Sequence, residues 1–261
     1  PDGISWTTRD TTDVAQKSVV SITYGNGLFV ATTCATICDS GNQAIMYSHD
    51  AITWVSVRAA TGNTWTAITY GNGKFVAVAG SGTGDRVMLS TSGTNLATPL
   101  AQNNGITWAT SSTSGLDESW SSITYGNGLF VAVAPFATGN SVMTSPDGLT
   151  WTSRTAAVNN NWQSITYGSG LFVAISSSGT GNRVMTSPDG INWTSRTSAT
   201  DNSWSSVTYG GGRFVVVGNS GTGDRVMTSS DGITWATSST SGLDNLWQSV
   251  TYGNGLFVAV S

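Results

Sequence analysis

One phrase returns six times along this chain, and no other feature narrows the choice of fold so far. Segments of the type SITYGNGLFVA place tyrosines at Tyr24, Tyr70, Tyr125, Tyr167, Tyr209 and Tyr252, at separations of 46, 55, 42, 42 and 43 residues. A second anchor, DGITW or a near relative, ends at Trp6, Trp54, Trp108, Trp151, Trp193 and Trp235. A third lies five residues before each tyrosine, at Trp65, Trp120, Trp162, Trp204 and Trp247, with Val19 in the first copy. These two sets account for all 11 tryptophans, and the five methionines fall in the same register. A tandem repeat of this length means that each unit buries its apolar faces against its neighbours.

Each unit divides into four short runs with strand character. In the fourth copy strand A is WQSITY (Trp162–Tyr167), strand B is LFVAIS (Leu171–Ser176), strand C is RVMTS (Arg183–Ser187) and strand D is INWTSR (Ile191–Arg196). Every run is rich in β-branched or aromatic residues and is bounded by Gly, Asn, Asp or Pro. The Asn-Gly step between A and B and the Asp-Gly step between C and D tolerate positive φ and therefore predict hairpins. With no helical periodicity, the expected fold is all-β: residues 1–261 as a single domain, a six-bladed β-propeller of four-stranded antiparallel blades.

The ends suggest how such a ring closes. The chain opens with PDGISW, the turn and strand D of a unit whose strands A and B lie at residues 247–261. N- and C-terminal strands are thus expected to share one blade, with its strand C missing. A longer native chain, a three-stranded blade, or an edge strand from another chain would each accommodate this. The start at Pro1, with no initiator Met and no signal peptide, reads as a processed or trimmed part of something longer.

The turns SPDGLTW (Ser145–Trp151), SPDGINW (Ser187–Trp193) and SSDGITW (Ser229–Trp235) resemble the Asp-box of bacterial neuraminidase-type repeats, one spacer residue shorter. The resemblance extends to all six units and is weakest at two. There His49-Asp50-Ala51 lacks the glycine and Asn103-Asn104-Gly105 lacks the aspartate. In that family the box is a folding element between the third and fourth strands of a propeller blade, away from any active site. It implies a propeller, with Asp147, Asp189 and Asp231 as turn residues, and implies no sialidase activity.

Charged residues make up 9% of the chain, against roughly a quarter in ordinary soluble domains. With a net charge of −4 and ten Lys and Arg, there is no basic patch for nucleic acid. No apolar run approaches the roughly 20 residues that span a bilayer as a helix. Cys34 and Cys38 are spaced for a short disulfide loop in an oxidising compartment, or are two inert thiols. With His49 the only histidine, no metal site and no cofactor are expected.

Nor is an enzyme expected. Glycoside hydrolysis needs two facing carboxylic acids, and Glu118 is the single glutamate. No catalytic residue stands out. The expected function is instead an extracellular or cell-surface binding module for glycans, multivalent because its loops repeat. The longer D-to-A and B-to-C loops share one face. They would offer Trp162, Trp204 and Trp247 as rings, with Asn182, Arg183, Asp224 and Arg225 as partners for sugar hydroxyls. The alternative is a self-assembling module of an extracellular fibre or surface layer, a homo-oligomer joined by edge-strand pairing. A receptor-binding or spacer domain of a larger fibre overlaps with either.

Overall fold

A computed structural model describes residues 17–35, 45–91, 106–113, 115–136, 140–239, 242 and 244–261, with backbone alone for 17, 34 and 35. These residues form strands joined by turns and loops, with no helix among them. The first sheet runs β1 (Lys17–Gly25), β2 (Leu28–Ala35), β3 (Ile45–Ser48), β4 (Val55–Val57), in sequence order. The second runs β5 (Trp65–Gly71), β6 (Lys74–Ala79), β7 (Val87–Ser90), β8 (Trp108–Ser111). The third is β9 (Ser122–Gly126), β10 (Leu129–Val133), β11 (Val142–Ser145), β12 (Thr152–Arg154). The fourth is β13 (Trp162–Gly168), β14 (Leu171–Ser176), β15 (Val184–Ser187), β16 (Thr194–Arg196). The fifth is β17 (Trp204–Gly210), β18 (Arg213–Gly218), β19 (Val226–Ser229), β20 (Ala236–Ser238). The last described sheet holds only β21 (Ser249–Gly253) and β22 (Leu256–Val260).

Among the described residues there are five four-stranded sheets and one two-stranded sheet, where six blades were expected, the closing one short of its strand C. The segment expected to return as strand D, residues 1–9, lies outside the described residues, as do Cys38, the side chain of Cys34 and the turn at 103–105.

The hairpins arise where the sequence places them. Asn26-Gly27, Asn72-Gly73, Asn127-Gly128 and Asn254-Gly255 all have both residues at positive φ, the type I′ geometry that joins two twisted strands without splaying them. The D strands β4, β12, β16 and β20 are shorter than expected, and in each the turn aspartate takes the two amides that would open the run. Strand A departs from simple alternation: register shifts interrupt pairing between Trp65 and Ala67, Trp162 and Ser164, and Trp204 and Ser206. This inserts one bulge residue per unit, Thr66, Gln163 or Ser205.

By their contacts the described residues group into two compact units, one of 17–130 with 145–152, the other of 131–144 with 153–261. In the first, Leu28, Val30 and Ile45 pack with Trp65, Ile68 and Phe75. In the second, Val173, Ile175 and Val184 pack with Trp204, Val207, Phe214 and Met227. The B strands β6, β10, β14 and β18 are covered on both faces, so Phe172 through Ser176, for example, are buried without alternation. Close approach explains the invariant Tyr-Gly step. A Cβ on Gly25 or Gly71 would fall inside the ring of Tyr70 or Tyr125, and one on Gly168 or Gly210 inside that of Tyr209 or Tyr252.

Candidate functional site

In the first, third, fourth and fifth sheets the end that carries the A-to-B and C-to-D turns is closed by local bonds. Ser187 Oγ donates to Asp189 Oδ1 at 2.8 Å, and the amides of Ile191 and Asn192 donate to the same oxygen at 2.8 Å. Ser145–Asp147 and Ser229–Asp231 repeat the pattern, and each turn glycine carbonyl accepts the indole N–H of the following tryptophan at 3.1 Å. Asp50 keeps these bonds although Ala51 stands where the others have glycine, and Ala51 takes φ +59° to do so. The amides hold the aspartates in their charged form. The Thr53 N–H, then the Ile52 N–H, lower Asp50 to about 2, and the Thr234 N–H, then the Ile233 N–H, lower Asp231 to about 2. Asp147 is lowered foremost by the Thr150 N–H and Asp189 by the Asn192 N–H.

At the opposite end the B-to-C loops are locked by residues far apart in sequence. Arg183 donates from Nε to the Gly179 carbonyl (2.8 Å) and from Nη1 to the Ser177 carbonyl (3.0 Å), and pairs with Asp201 at 3.7 Å. Asp201 also accepts from the Gly181 amide at 2.7 Å, and the buried Asn160 amide donates to Asn182 Oδ1 and to its carbonyl. Asn202, Asp224, Arg225 and Asp244 repeat this, as do Asn63, Asp85, Arg86 and Asp117. Asn182, Arg183, Asp224 and Arg225, expected to meet a ligand, thus spend their strongest bonds inside the protein.

The rings expected to stack on sugars are largely withdrawn. Trp162 and Trp204 have no exposed surface, and their indole N–H groups donate to the carbonyls of Val158 and Thr200. Trp247 is partly buried against Val215, Val217 and Val250.

What the loop end does offer is a polar cleft of about 320 Å³, lined by Gln163, Ser177, Ser203, Ser205, Asn219 and Gln248 against the buried Trp204. Gln163 and Ser205 are the bulge residues of β13 and β17, aimed here because the bulge breaks strand alternation. Gln163 Nε2 donates to Ser177 Oγ at 3.1 Å, and Gln248 Nε2 to the Leu246 carbonyl at 3.2 Å. Ser205 Oγ lies 2.6 Å from the Trp247 carbonyl. Among the described residues, the Asn219 carboxamide and the carboxamide oxygens of Gln163 and Gln248 have no hydrogen-bond partner. None of the lining side chains is charged.

None of these polar residues stands out as a site in the repeat pattern, though the sequence carries a sign of them. Trp204 and Val207 enter the same core cluster at a spacing of three, which a regular strand does not allow. The residue after each repeated tryptophan is Thr66, Ser121, Gln163, Ser205 or Gln248, variable where its surroundings are constant.

No protein-family model matches the chain, and no curated protein matches it. Solved structures do. A catalytically inactive virginiamycin B lyase from Staphylococcus aureus with quinupristin has a TM-score of 0.73 at 12% identity, covering 96% of this chain and 80% of that one. A streptogramin B lyase has a TM-score of 0.71 at 11% identity, covering 92% and 75%. YCF48 bound to D1 peptide has 0.61 at 13% identity, covering 92% and 72%. At these identities the likeness concerns the fold, a repeat-based all-β architecture of β-propeller type. The expectation of an extracellular carbohydrate-binding module, with its fibre-forming alternative, is corrected by these findings. The similar structures are of a lyase and of a peptide-bound protein rather than of carbohydrate binders, and two of the three rings expected to stack on sugars, Trp162 and Trp204, are buried. The chain is, in fold, a β-propeller-type repeat protein.

Proposed function

We propose that the six units form one β-propeller whose loop end binds an extended peptide without catalysing a reaction on it. The observation that carries this reading is the cleft of amides and hydroxyls with unused acceptors and no charged side chain. A carboxamide presents a donor and an acceptor side by side, which matches the N–H and C=O of a peptide main chain. Main-chain bonding of this kind is how extended peptides are commonly held. The peptide seen with the structurally similar YCF48 is compatible with such a use of the fold.

The non-catalytic part of the reading rests on where the carboxylates are. Asp50, Asp147, Asp189 and Asp231 are engaged by turn amides, and Asp117, Asp201 and Asp244 by loop amides and arginines. Six repeats with five complete sheets support a ring of six, and the Ser–Asp–Gly turns support kinship with the Asp-box.

Panning a random twelve-residue peptide display library on the chain tests this. Enrichment of uncharged sequences, lost on a still-folded Gln163→Ala, Gln248→Ala double variant, is the expected result. No enrichment, or enrichment indifferent to the double variant, would reject it.

A further inference from the structure

The third unit departs from the others at the loop end. Ser81, Ser178 and Ser220 accept the amides of Thr64, Asn161 and Ser203 at 2.7–2.8 Å, pinning the start of each B-to-C loop. At the equivalent position the third unit has Phe136, and where the others have Arg86, Arg183 and Arg225 it has Ser141. Both halves of the lock are therefore replaced. Phe136 is 78% exposed, the most exposed of the large hydrophobic residues described, and sits at φ +61°, which none of the three serines adopts. A bulky residue at positive φ is an outlier that its surroundings must hold in place.

Those surroundings belong to the cleft. The Phe136 amide donates to Asn161 Oδ1 at 3.3 Å, and the Asn161 carbonyl accepts from Ser177 N at 3.1 Å and Gln163 Nε2 at 3.4 Å. Ser177 and Gln163 both line the cleft, so one residue, Asn161, links the Phe136 backbone to the rim.

We propose that Phe136 is the apolar anchor of the peptide site: it packs against one aliphatic or aromatic side chain of a peptide whose main chain lies along Gln163, Asn219 and Gln248. The inference rests on the peptide-binding reading above and adds its specificity. The ring supplies the apolar area that the polar cleft lacks, and interface anchors are typically aromatic residues beside groups that hold the ligand in register. The ligand class is an uncharged extended segment with a single large apolar residue.

The test takes the strongest peptide from the library and measures its affinity for the native chain, Phe136→Ser and the Gln163→Ala, Gln248→Ala variant. Thermal melting establishes that each is folded. Phe136→Ser, which installs the residue of the other units, is expected to melt no lower than the native chain and to bind about tenfold more weakly. Replacing the peptide's apolar residue by alanine should weaken binding to the native chain by a similar factor and to Phe136→Ser hardly at all. A peptide that needs the two glutamines but ignores Phe136→Ser would overturn this inference while leaving the peptide site standing. A peptide whose apolar residue and Phe136 act independently would overturn it equally. A chain that selects no peptide would overturn both.

Discussion

The two ends of these sheets solve the same problem, how to hold a chain reversal, in opposite ways. At the turn end the bonds are local: each bond made by Ser187 or Asp189 spans only two or three residues. At the loop end remote bonds join local ones: Arg225 holds the Gly221 carbonyl four residues away, while Asn202 reaches Asp224 across 22 residues and Arg225 the Asn245 carbonyl across 20. A turn that satisfies itself recurs with the same bonds in four units, even where Ala51 replaces the glycine. A loop held by its neighbours can be altered in one unit without unmaking the strand it joins. The third unit does this by exchanging its serine and arginine for Phe136 and Ser141.

The contrast can be broken most severely at the turn end. Gly168→Ala puts a Cβ into the Tyr209 ring, and a loss of about 3 kcal/mol by urea denaturation is expected from such overpacking. Gly253→Ala, which meets nothing within 4 Å among the described residues, should cost far less. Next comes the loop end. Arg183 has a side chain 15% exposed, so Arg183→Ala should lose about 2 kcal/mol, as expected for charge-assisted bonds to the Gly179 and Ser177 carbonyls. Ser141→Ala, in the unit without the arginine, should change stability less.

Ala51→Gly sharpens the comparison from the other side. It removes a non-glycine residue from φ +59° in a turn whose bonds are otherwise intact, and a gain of about 1 kcal/mol is expected in the same measurement. The smallest effect at neutral pH appears only on acidification. Asp50 and Asp231 fall from the ordinary 3.8 to about 2 on folding, and Asp147 and Asp189 are lowered as well. Their contribution is complete above pH 4 and is lost as pH falls toward about 2. Melting temperatures taken from pH 5 to pH 2 should drop within that window, and an Asp147→Asn, Asp231→Asn variant should drop less.

The same division decides what could be read in advance. Strands, hairpins and blade-like sheets were legible because their signals are short: Asn-Gly for a turn, a run of β-branched and aromatic residues for a strand, Asp-Gly for the C-to-D reversal. Ala51 shows the reach of that logic, since the turn forms on its aspartate even without glycine. The site was misread because its residues are defined by tertiary position. A repeated tryptophan beside loop arginines looks like a sugar platform until Trp162 and Trp204 turn out to be core and Arg183 a clasp. Gln163 and Gln248 looked like ordinary strand residues. A bulge one residue long is a matter of register, visible in sequence only as a spacing of three between buried positions.

Amide hydrogen exchange, with and without a library-selected peptide, tests most directly whether function resides at the loop end. The account predicts slowed exchange in the segments around Ser177, Ser203, Asn219 and Gln248, with the Asp189 and Asp231 turns unchanged. Protection confined to those turns, or spread evenly over all units, would contradict it.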